Sequence, residues 1–181
     1  RHLVLPQVGI EGQETLAKAK VFVVGAGGLG SPVLLYLAAA GIGTIGIIDD
    51  DRVDISNLQR QVLHRTEDVG RLKVESAKQQ LLALDPNLSI VEHNERLNPE
   101  NALALLSGWD IVVDGTDNIP TRYLIDDACH LLSIPWVYGS IHRFEGQISF
   151  FSTEHDRRYR DLFPEAPPAS ALQNCAEAGV F

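Results

Sequence analysis

Residues in the first third of the chain have types and spacing suited to binding phosphate. Residues 25–30 satisfy the pattern G-x-G-x-x-G, with glycines at Gly25, Gly27, Gly28 and Gly30. Glycines let backbone N–H groups approach a phosphate, and the N-terminus of a following helix adds favourable dipole charge. Asp49, about 20 residues further on, can hydrogen-bond a ribose hydroxyl. The pattern predicts a nucleotide site rather than a turn used only for packing, but NAD or FAD would satisfy it equally well.

Residues 51–61, which follow Asp49, are rich in polar and charged side chains. A dinucleotide-binding fold does not usually have such a segment in the connection to its next strand. Asn57 and Arg60 share a face at helical spacing. A guanidinium can bind phosphate oxygens through two hydrogen bonds, and an amide can hold a ribose or phosphate oxygen. Lys73 begins an amphipathic segment, where the alternative interpretation of a lone lysine is a solvated charge.

Asp117 follows a buried apolar run, at the edge where open α/β sheets bind their ligands. A carboxylate there can ligate Mg²⁺, which would neutralise a polyphosphate. The alternative is a helix N-cap formed by Asp117 or Asn118. The order of glycine loop, ribose acid, arginine, lysine and carboxylate indicates a nucleoside triphosphate rather than NAD.

The elements that must position these residues alternate between short apolar runs and longer segments of helical period. Strands are predicted at residues 20–24, 44–49, 89–93, 110–114, 136–138 and 147–151, and helices at 31–40, 71–84, 99–106 and 120–132. This alternation predicts an α/β fold with a Rossmann-like mixed sheet, mostly parallel with antiparallel strands toward the C-terminus, and helices on both faces. Residues beyond Ser152 show no period and are predicted to form a crossover or mobile loop.

Composition narrows the class of protein. The length of 181 residues predicts one domain, and 45% hydrophobic residues suffice for its core. The net charge of -9 disfavours nucleic acid or an anionic membrane as a partner. Two cysteines exclude a disulfide framework, and we interpret Cys129 as a core residue. No segment has the length of a membrane span or the character of a signal peptide, so we expect a cytoplasmic protein without a membrane partner.

Seven short segments carry a more specific resemblance. They are residues 1–2, 25–30, 56–61, 70–76, 116–118, 145–147 and 175–180. In this order they resemble the MoeB/ThiF family, which is related to the adenylation domain of ubiquitin-activating enzymes. The resemblance covers essentially the whole chain. It implies an ATP-dependent adenylyltransferase acting on a ubiquitin-like sulfur-carrier protein that ends in Gly-Gly, whose carboxylate attacks the α-phosphate to give an acyl-adenylate and pyrophosphate.

The resemblance also implies roles for individual residues. Asp49 would hold the ribose, Asn57, Arg60 and Lys73 would contact the phosphates, and Asp117 would bind Mg²⁺. Arg1 matches an arginine that the family inserts from the partner subunit of a homodimer, so a monomer would lack a complete site. Cys175 aligns with a cysteine that some relatives use for a thioester or persulfide step; its alternative is a small apolar loop anchor.

The chain departs from the family in two places. Zinc-containing relatives carry a Cys-x-x-Cys pair where this chain has Arg158 and Asp161, so we expect no structural zinc, and an ion pair between these two residues could substitute for it. The family continues past residues 175–180 with further elements, so we expect one ATP-binding adenylation domain over residues 1–181, shortened at its C-terminus. An NAD(P)-dependent oxidoreductase and a non-catalytic carrier-docking protein are the alternative functions.

Overall fold

Short apolar runs and helical segments alternate along the chain as the sequence predicts. In the computed structural model, which describes residues 2–154 and 157–166, the strands are β1 (Lys20–Val24), β2 (Thr44–Ile48), β3 (Ser89–His93), β4 (Ile111–Asp114), β5 (Trp136–His142) and β6 (Glu145–Phe151). The helices are α1 (Gly9–Lys18), α2 (Gly30–Ala40), α3 (Lys73–Leu84), α4 (Ala102–Leu106), α5 (Ile119–Leu132) and α6 (Tyr159–Leu162). In these two stretches of chain, no helix is long and apolar enough to cross a membrane.

The six strands form one sheet in the order β3-β2-β1-β4-β5-β6. All neighbouring strands are parallel except β5 and β6, which are antiparallel. The predicted mixed, mostly parallel Rossmann-like sheet is therefore confirmed. The chain order reverses between β1 and β4, and the crevice beyond the carboxyl ends of strands at such a point is where sheets of this type bind ligands.

Each face of the sheet has its own apolar core because the side chains of a strand alternate between the two faces. Val23 of β1 packs with Leu34 of α2 and Leu81 of α3 on one face. Phe22 packs with Ile125 of α5 on the other. Burial of each such side chain contributes about 1.5–3 kcal/mol. The two clusters hold helices against both faces and fix the sheet edge that carries the loops described below.

One part of the sheet is left uncovered on the side of α2 and α3. Val137 and Gly139 of β5 lie opposite Phe150 and Ile148 of β6, on the face away from the buried Trp136. Ile148 is 82% exposed and Phe150 is 59% exposed. We call Val137, Gly139, Ile148 and Phe150 the β5–β6 apolar face. Val137 and Gly139 are half-buried, so Ile148 and Phe150 form most of the exposed apolar surface of this face.

Three elements differ from the sequence-based prediction. Helix α1 was not predicted; none of its residues is fully buried, and Leu16 packs against the core only at its edge. Strands β5 and β6 are longer than predicted and form a continuous hairpin. Its turn includes Arg143 at φ +54°, a conformation that is uncommon for arginine and so could not be predicted from the residue type. Helix α6 forms inside the segment that was predicted to be a loop.

The expected ion pair between Arg158 and Asp161 is wrong. A carboxylate oxygen of Asp161 instead accepts the backbone N–H of Arg158 at 2.7 Å and caps the short helix α6. The guanidinium of Arg158 contacts Asp126 at 3.1 Å and Asp127 at 2.5 Å, both on α5. Arg160 also contacts Asp127, at 2.6 Å. These contacts tie α6 to α5, and the expectation of no structural zinc stays a prediction.

Candidate functional site

Three loops meet at the carboxyl edge of the sheet. Gly25 follows β1, Asp49 follows β2 and Gly115 follows β4. In the strand register, Val24 lies between Ile48 on one side and Asp114 on the other, so the three loops begin side by side. This is the point where the chain order reverses, and it brings the predicted phosphate-binding and metal-binding residues to one edge.

The glycine loop, residues 25–30, is packed too closely for side chains at several positions. A Cβ on Gly30 would lie 1.9 Å from the carbonyl oxygen of Gly25. Gly25 has φ +93°, and a Cβ there would lie 3.0 Å from the carbonyl oxygen of Gly115. The glycines therefore allow the loop to fold back against the start of α2 and against the loop after β4, and they leave backbone groups accessible to a ligand.

Asp49 anchors the glycine loop. One carboxylate oxygen accepts the N–H of Ala26 at 2.8 Å, and the other accepts the N–H of Asp51 at 2.9 Å. The carboxylate thereby joins the loop after β1 to the segment after β2. Its predicted contact with a ribose stays a prediction.

Arg60 lies over the glycine loop. Its Cγ and Cδ atoms are 3.4 Å from the position that a Cβ on Gly28 would take. The guanidinium has neither a hydrogen bond nor an ion pair with any residue that the structure describes. Nearby Asn57 is engaged locally, since its oxygen accepts from Gln61 at 2.8 Å and its amide donates to Ser56 at 3.0 Å. A cation beside exposed backbone groups is the arrangement that an anionic ligand requires.

Lys73 is the first residue of α3 and is buried, with 4% exposure. Its ammonium nitrogen lies 2.7 Å from a carboxylate oxygen of Asp51. The alternative that Lys73 is a solvated charge is therefore wrong. Because Asp51 follows β2 at the same edge of the sheet, the ion pair keeps the lysine near the candidate site; contact with phosphate stays a prediction.

Asp117 projects from the loop between β4 and α5. The N-cap of α5 is Asn118, whose side chain accepts the N–H of Thr121 at 3.0 Å. The cap alternative is therefore confirmed for Asn118 and wrong for Asp117. Asp117 is exposed, and its carboxylate has no hydrogen bond or ion pair among residues 2–154 and 157–166. It is available to a ligand, and its role as a metal ligand stays a prediction.

Asp114 and Arg122 both contact Thr116 in the loop between β4 and α5. Neither residue was predicted from the sequence to belong to the site. One oxygen of Asp114 accepts the N–H and the hydroxyl of Thr116 at 2.8 and 2.7 Å. The other oxygen lies 3.5 Å from Nε of Arg122, and Nη2 of Arg122 donates to the carbonyl of Thr116 at 3.1 Å. Burial raises the pKa of Asp114 to about 6, against the lowering effects of Thr116 and Arg122. In the sequence, the only sign of a role for Asp114 is that a charged residue ends an otherwise apolar strand.

His64 is a second residue that the sequence analysis did not assign to the site. Its Nε2 lies 2.9 Å from the carbonyl oxygen of Ala26, and its Nδ1 lies 2.8 Å from the hydroxyl of Ser76. Burial lowers the pKa of His64 below its ordinary value of 6.5. A lone histidine without metal-ligand spacing gives no sequence signal, so only the fold reveals this contact with the glycine loop.

Two predicted site residues, Arg1 and Cys175, lie outside the described residues. Cys129 is buried, and burial raises the pKa of its thiol to about 12, so its interpretation as a core residue is confirmed.

Asp49, Asp50 and Asp51 have carboxylate oxygens within 4.8 Å of one another. Asp49 and Asp51 are already engaged by the contacts above, and acidic side chains this exposed are common without a metal ion.

Comparison with known proteins gives this geometry a context. A model of the ThiF family matches residues 1–181. The chain belongs to the ThiF family. It is 53% identical over 185 residues to the probable adenylyltransferase/sulfurtransferase MoeZ of Mycobacterium tuberculosis, and the alignment covers 100% of this chain and 47% of that relative. It is 53% identical over 186 residues to the sulfur carrier protein adenylyltransferase of Thermus thermophilus, covering 100% of this chain and 69% of that one.

Solved structures of ThiF-like folds agree with the architecture. PaaA superposes with a TM-score of 0.75 and 27% identity, covering 90% of this chain and 50% of that chain. Escherichia coli MccB, crystallised with ATP, superposes with a TM-score of 0.68 and 32% identity, covering 72% of this chain and 39% of that chain. The chain spans about half the length of the MoeZ relative, at 47%.

Proposed function

We propose that the chain is an ATP-dependent adenylyltransferase. It activates the C-terminal glycine carboxylate of a ubiquitin-like sulfur-carrier protein as an acyl-adenylate and releases pyrophosphate. The names of two relatives that align with the whole of this chain support this activity. The observation that carries the proposal is the guanidinium of Arg60, which lies over Gly28 and has no partner among the described residues. Two observations disfavour the oxidoreductase alternative. Hydride transfer has no evident need for an unpaired guanidinium at this position, and neither of these two relatives is named an oxidoreductase.

The proposed reaction joins two anions. A carboxylate oxygen of the carrier attacks the α-phosphorus, and the bond from that phosphorus to the bridging oxygen breaks, so pyrophosphate leaves with the electron pair. Two negative groups repel each other most strongly in a site that excludes water. Positively charged groups must therefore oppose this repulsion and stabilise the charge that develops on the phosphate oxygens.

In this proposal, the glycine loop and the two cations share the phosphates. Backbone N–H groups of the glycine loop bind phosphate at the start of α2. Arg60 supplies a planar donor, and Lys73 supplies a point charge that Asp51 orients. Because Asp51 is 61% exposed in its side chain, releasing Lys73 to a phosphate leaves that carboxylate hydrated rather than buried.

Asp117 is the proposed ligand of Mg²⁺. It fits the role because it is an exposed carboxylate that neither caps α5 nor pairs with a described cation. When bound, Mg²⁺ would neutralise charge on the phosphates. Asp49 is proposed to accept from a ribose hydroxyl while it anchors Ala26.

We further propose that two copies of the chain form a homodimer through the β5–β6 apolar face. Doubly wound sheets carry helices on both faces, yet Ile148 and Phe150 remain exposed here. A second copy that covers this face removes apolar surface from water. The dimer is also the arrangement in which Arg1 of one copy could complete the site of the other.

Exchange of labelled pyrophosphate into ATP tests the activity. We expect exchange only when the chain, Mg²⁺ and a carrier protein ending in Gly-Gly are all present. Asp117→Ala should lower the rate at least tenfold, whereas Glu100→Ala, an exposed carboxylate on another loop, should not change it. Full exchange by D117A would refute the metal role. Carrier binding without pyrophosphate release would indicate the non-catalytic alternative.

A further inference from the structure

We propose that His64 is a positioning residue for the nucleotide. Its imidazole fixes the carbonyl of Ala26 and thereby orients the N–H groups of the glycine loop toward phosphate. This inference rests on the proposed function for its ligand, but the geometry on which it depends is that of the chain alone. His64 itself touches no phosphate in this arrangement, since it lies buried beneath the loop.

Ala26 is held from both of its peptide groups. Its N–H donates to Asp49 at 2.8 Å, and its carbonyl accepts from Nε2 of His64 at 2.9 Å. The hydroxyl of Ser31 reaches the same carbonyl only at 3.3 Å. Because a peptide group is planar and trans, the N–H of Gly27 points opposite to the Ala26 carbonyl and so away from His64. The ring therefore fixes the direction of the first N–H group on the open side of the loop.

The protonation state of His64 follows from its partners. A carbonyl oxygen can only accept, so Nε2 carries a proton, while Nδ1 lies 2.8 Å from the hydroxyl of Ser76, which also hydrogen-bonds Asp68. Burial favours this neutral ring and lowers its pKa; the charge of Lys73 acts in the same direction, whereas Asp49 and Asp68 oppose it. In the neutral ring the single N–H is therefore the one that points at the carbonyl of Ala26.

The contact with Ser76 ties the loop to a second phosphate-binding element. Ser76 is fully buried on α3, the helix that begins with Lys73. One imidazole thus joins the glycine loop to the helix of the proposed lysine, through two hydrogen bonds of 2.8 and 2.9 Å. Loss of the Nε2 donor leaves the buried carbonyl of Ala26 with the longer contact from Ser31 alone, which releases the loop to rotate.

A matched pair of amides tests the inference. Glutamine can place an N–H near the position of Nε2, whereas asparagine is one methylene shorter and reaches only the position of Nδ1. We expect His64→Asn to weaken ATP binding about tenfold and adenosine binding less than about threefold, because adenosine lacks the phosphates that the loop holds. His64→Gln should keep both affinities within about threefold of wild type. Calorimetric titration measures both ligands.

Hydrogen exchange of residues 26–31 in the nucleotide-free protein provides an independent readout. We expect faster exchange in H64N than in wild type or H64Q, with unchanged exchange in β6, which lies three strands from β1 at one edge of the sheet. If wild type binds no ATP, the proposed function fails, and these exchange rates alone decide the inference. Wild-type exchange and ATP affinity in folded H64N would overturn it. Should H64N fail to fold, a tenfold loss of ATP affinity in folded H64Q would overturn it instead.

Discussion

The side chain of Arg60 should decide ATP affinity more than any other exposed cation at the sheet edge. It has no described partner to lose, so Arg60→Ala changes the binding of an anion with little cost to the fold. A hydrogen bond to a charged group contributes about 1.5–3 kcal/mol, which predicts an ATP affinity lower by about tenfold to a hundredfold. Calorimetry with Arg65→Ala as a control would measure this. Arg65 is exposed and, among the described residues, its guanidinium pairs only with Glu67, at 3.8 Å, so equal effects of the two variants would contradict the prediction.

Asp114 should make stability depend on pH with an unusual sign. Burial raises its pKa from 3.8 to about 6, so between these values the folded protein holds a proton that the unfolded chain has lost. Its contribution to the free energy of unfolding should therefore fall by about 3 kcal/mol as the pH rises from about 4 to about 6, and then remain constant. Denaturant unfolding of wild type and Asp114→Asn at several pH values measures this difference. A difference independent of pH would contradict it.

Residue types alone predicted which side chains gather at the sheet edge but not how each is engaged. Arg60 and Asp117 stand at that edge with no described partner, as a ligand-binding role requires. The burial of Lys73 and its ion pair with Asp51 depend on where α3 begins relative to β2, which spacing cannot reveal. His64 was not predicted because its proposed role depends on a contact with Ala26, which is 38 positions away in the sequence.

The junction between β1 and α2 depends on the absence of a side chain at Gly30. Gly30→Ala places a Cβ 1.9 Å from a backbone oxygen, so the loop must shift; we expect a loss of at least about 3 kcal/mol and loss of ATP binding. Gly70→Ala is the matched control. Its φ is +88° but nothing lies within 4 Å of the added Cβ, so backbone strain of about 1 kcal/mol is the whole cost. Urea unfolding compares them, and equal losses would contradict the steric argument.

Elements with a strong apolar pattern were predicted well, and those without one were not. The central strands β1 and β2 are buried and read as continuous apolar runs, so their positions were predicted to within one residue. Helix α1 has no buried residue, and the four-residue helix α6 is held by the pairing of Arg158 with α5 and by the burial of Tyr159. Contacts of α6 with distant segments leave no local pattern to detect.

At the scale of the whole molecule, the β5–β6 apolar face should determine the oligomeric state. Ile148→Glu places a charge on a strand that we propose to be covered by a second copy, so we expect a dimer in wild type and a monomer in the variant. Leu131→Glu is the control because Leu131 is 70% exposed on α5, which packs on the other face of the sheet. Sedimentation velocity distinguishes the species. A dimer that persists in I148E would place the interface elsewhere.

The central position of β1 also affects how the chain folds during synthesis. One edge of β1 pairs with β2, which follows soon after it in the sequence. The other edge pairs with β4, so it stays unpaired until residues from Ile111 onward have left the ribosome. Until then the apolar strand that leads into the glycine loop has an open edge, and distant parallel pairing is slow to form. A nascent chain of this kind is most exposed to mispairing and chaperone capture until β4 has been made, so β1 is paired on both edges only after three later strands have been synthesised.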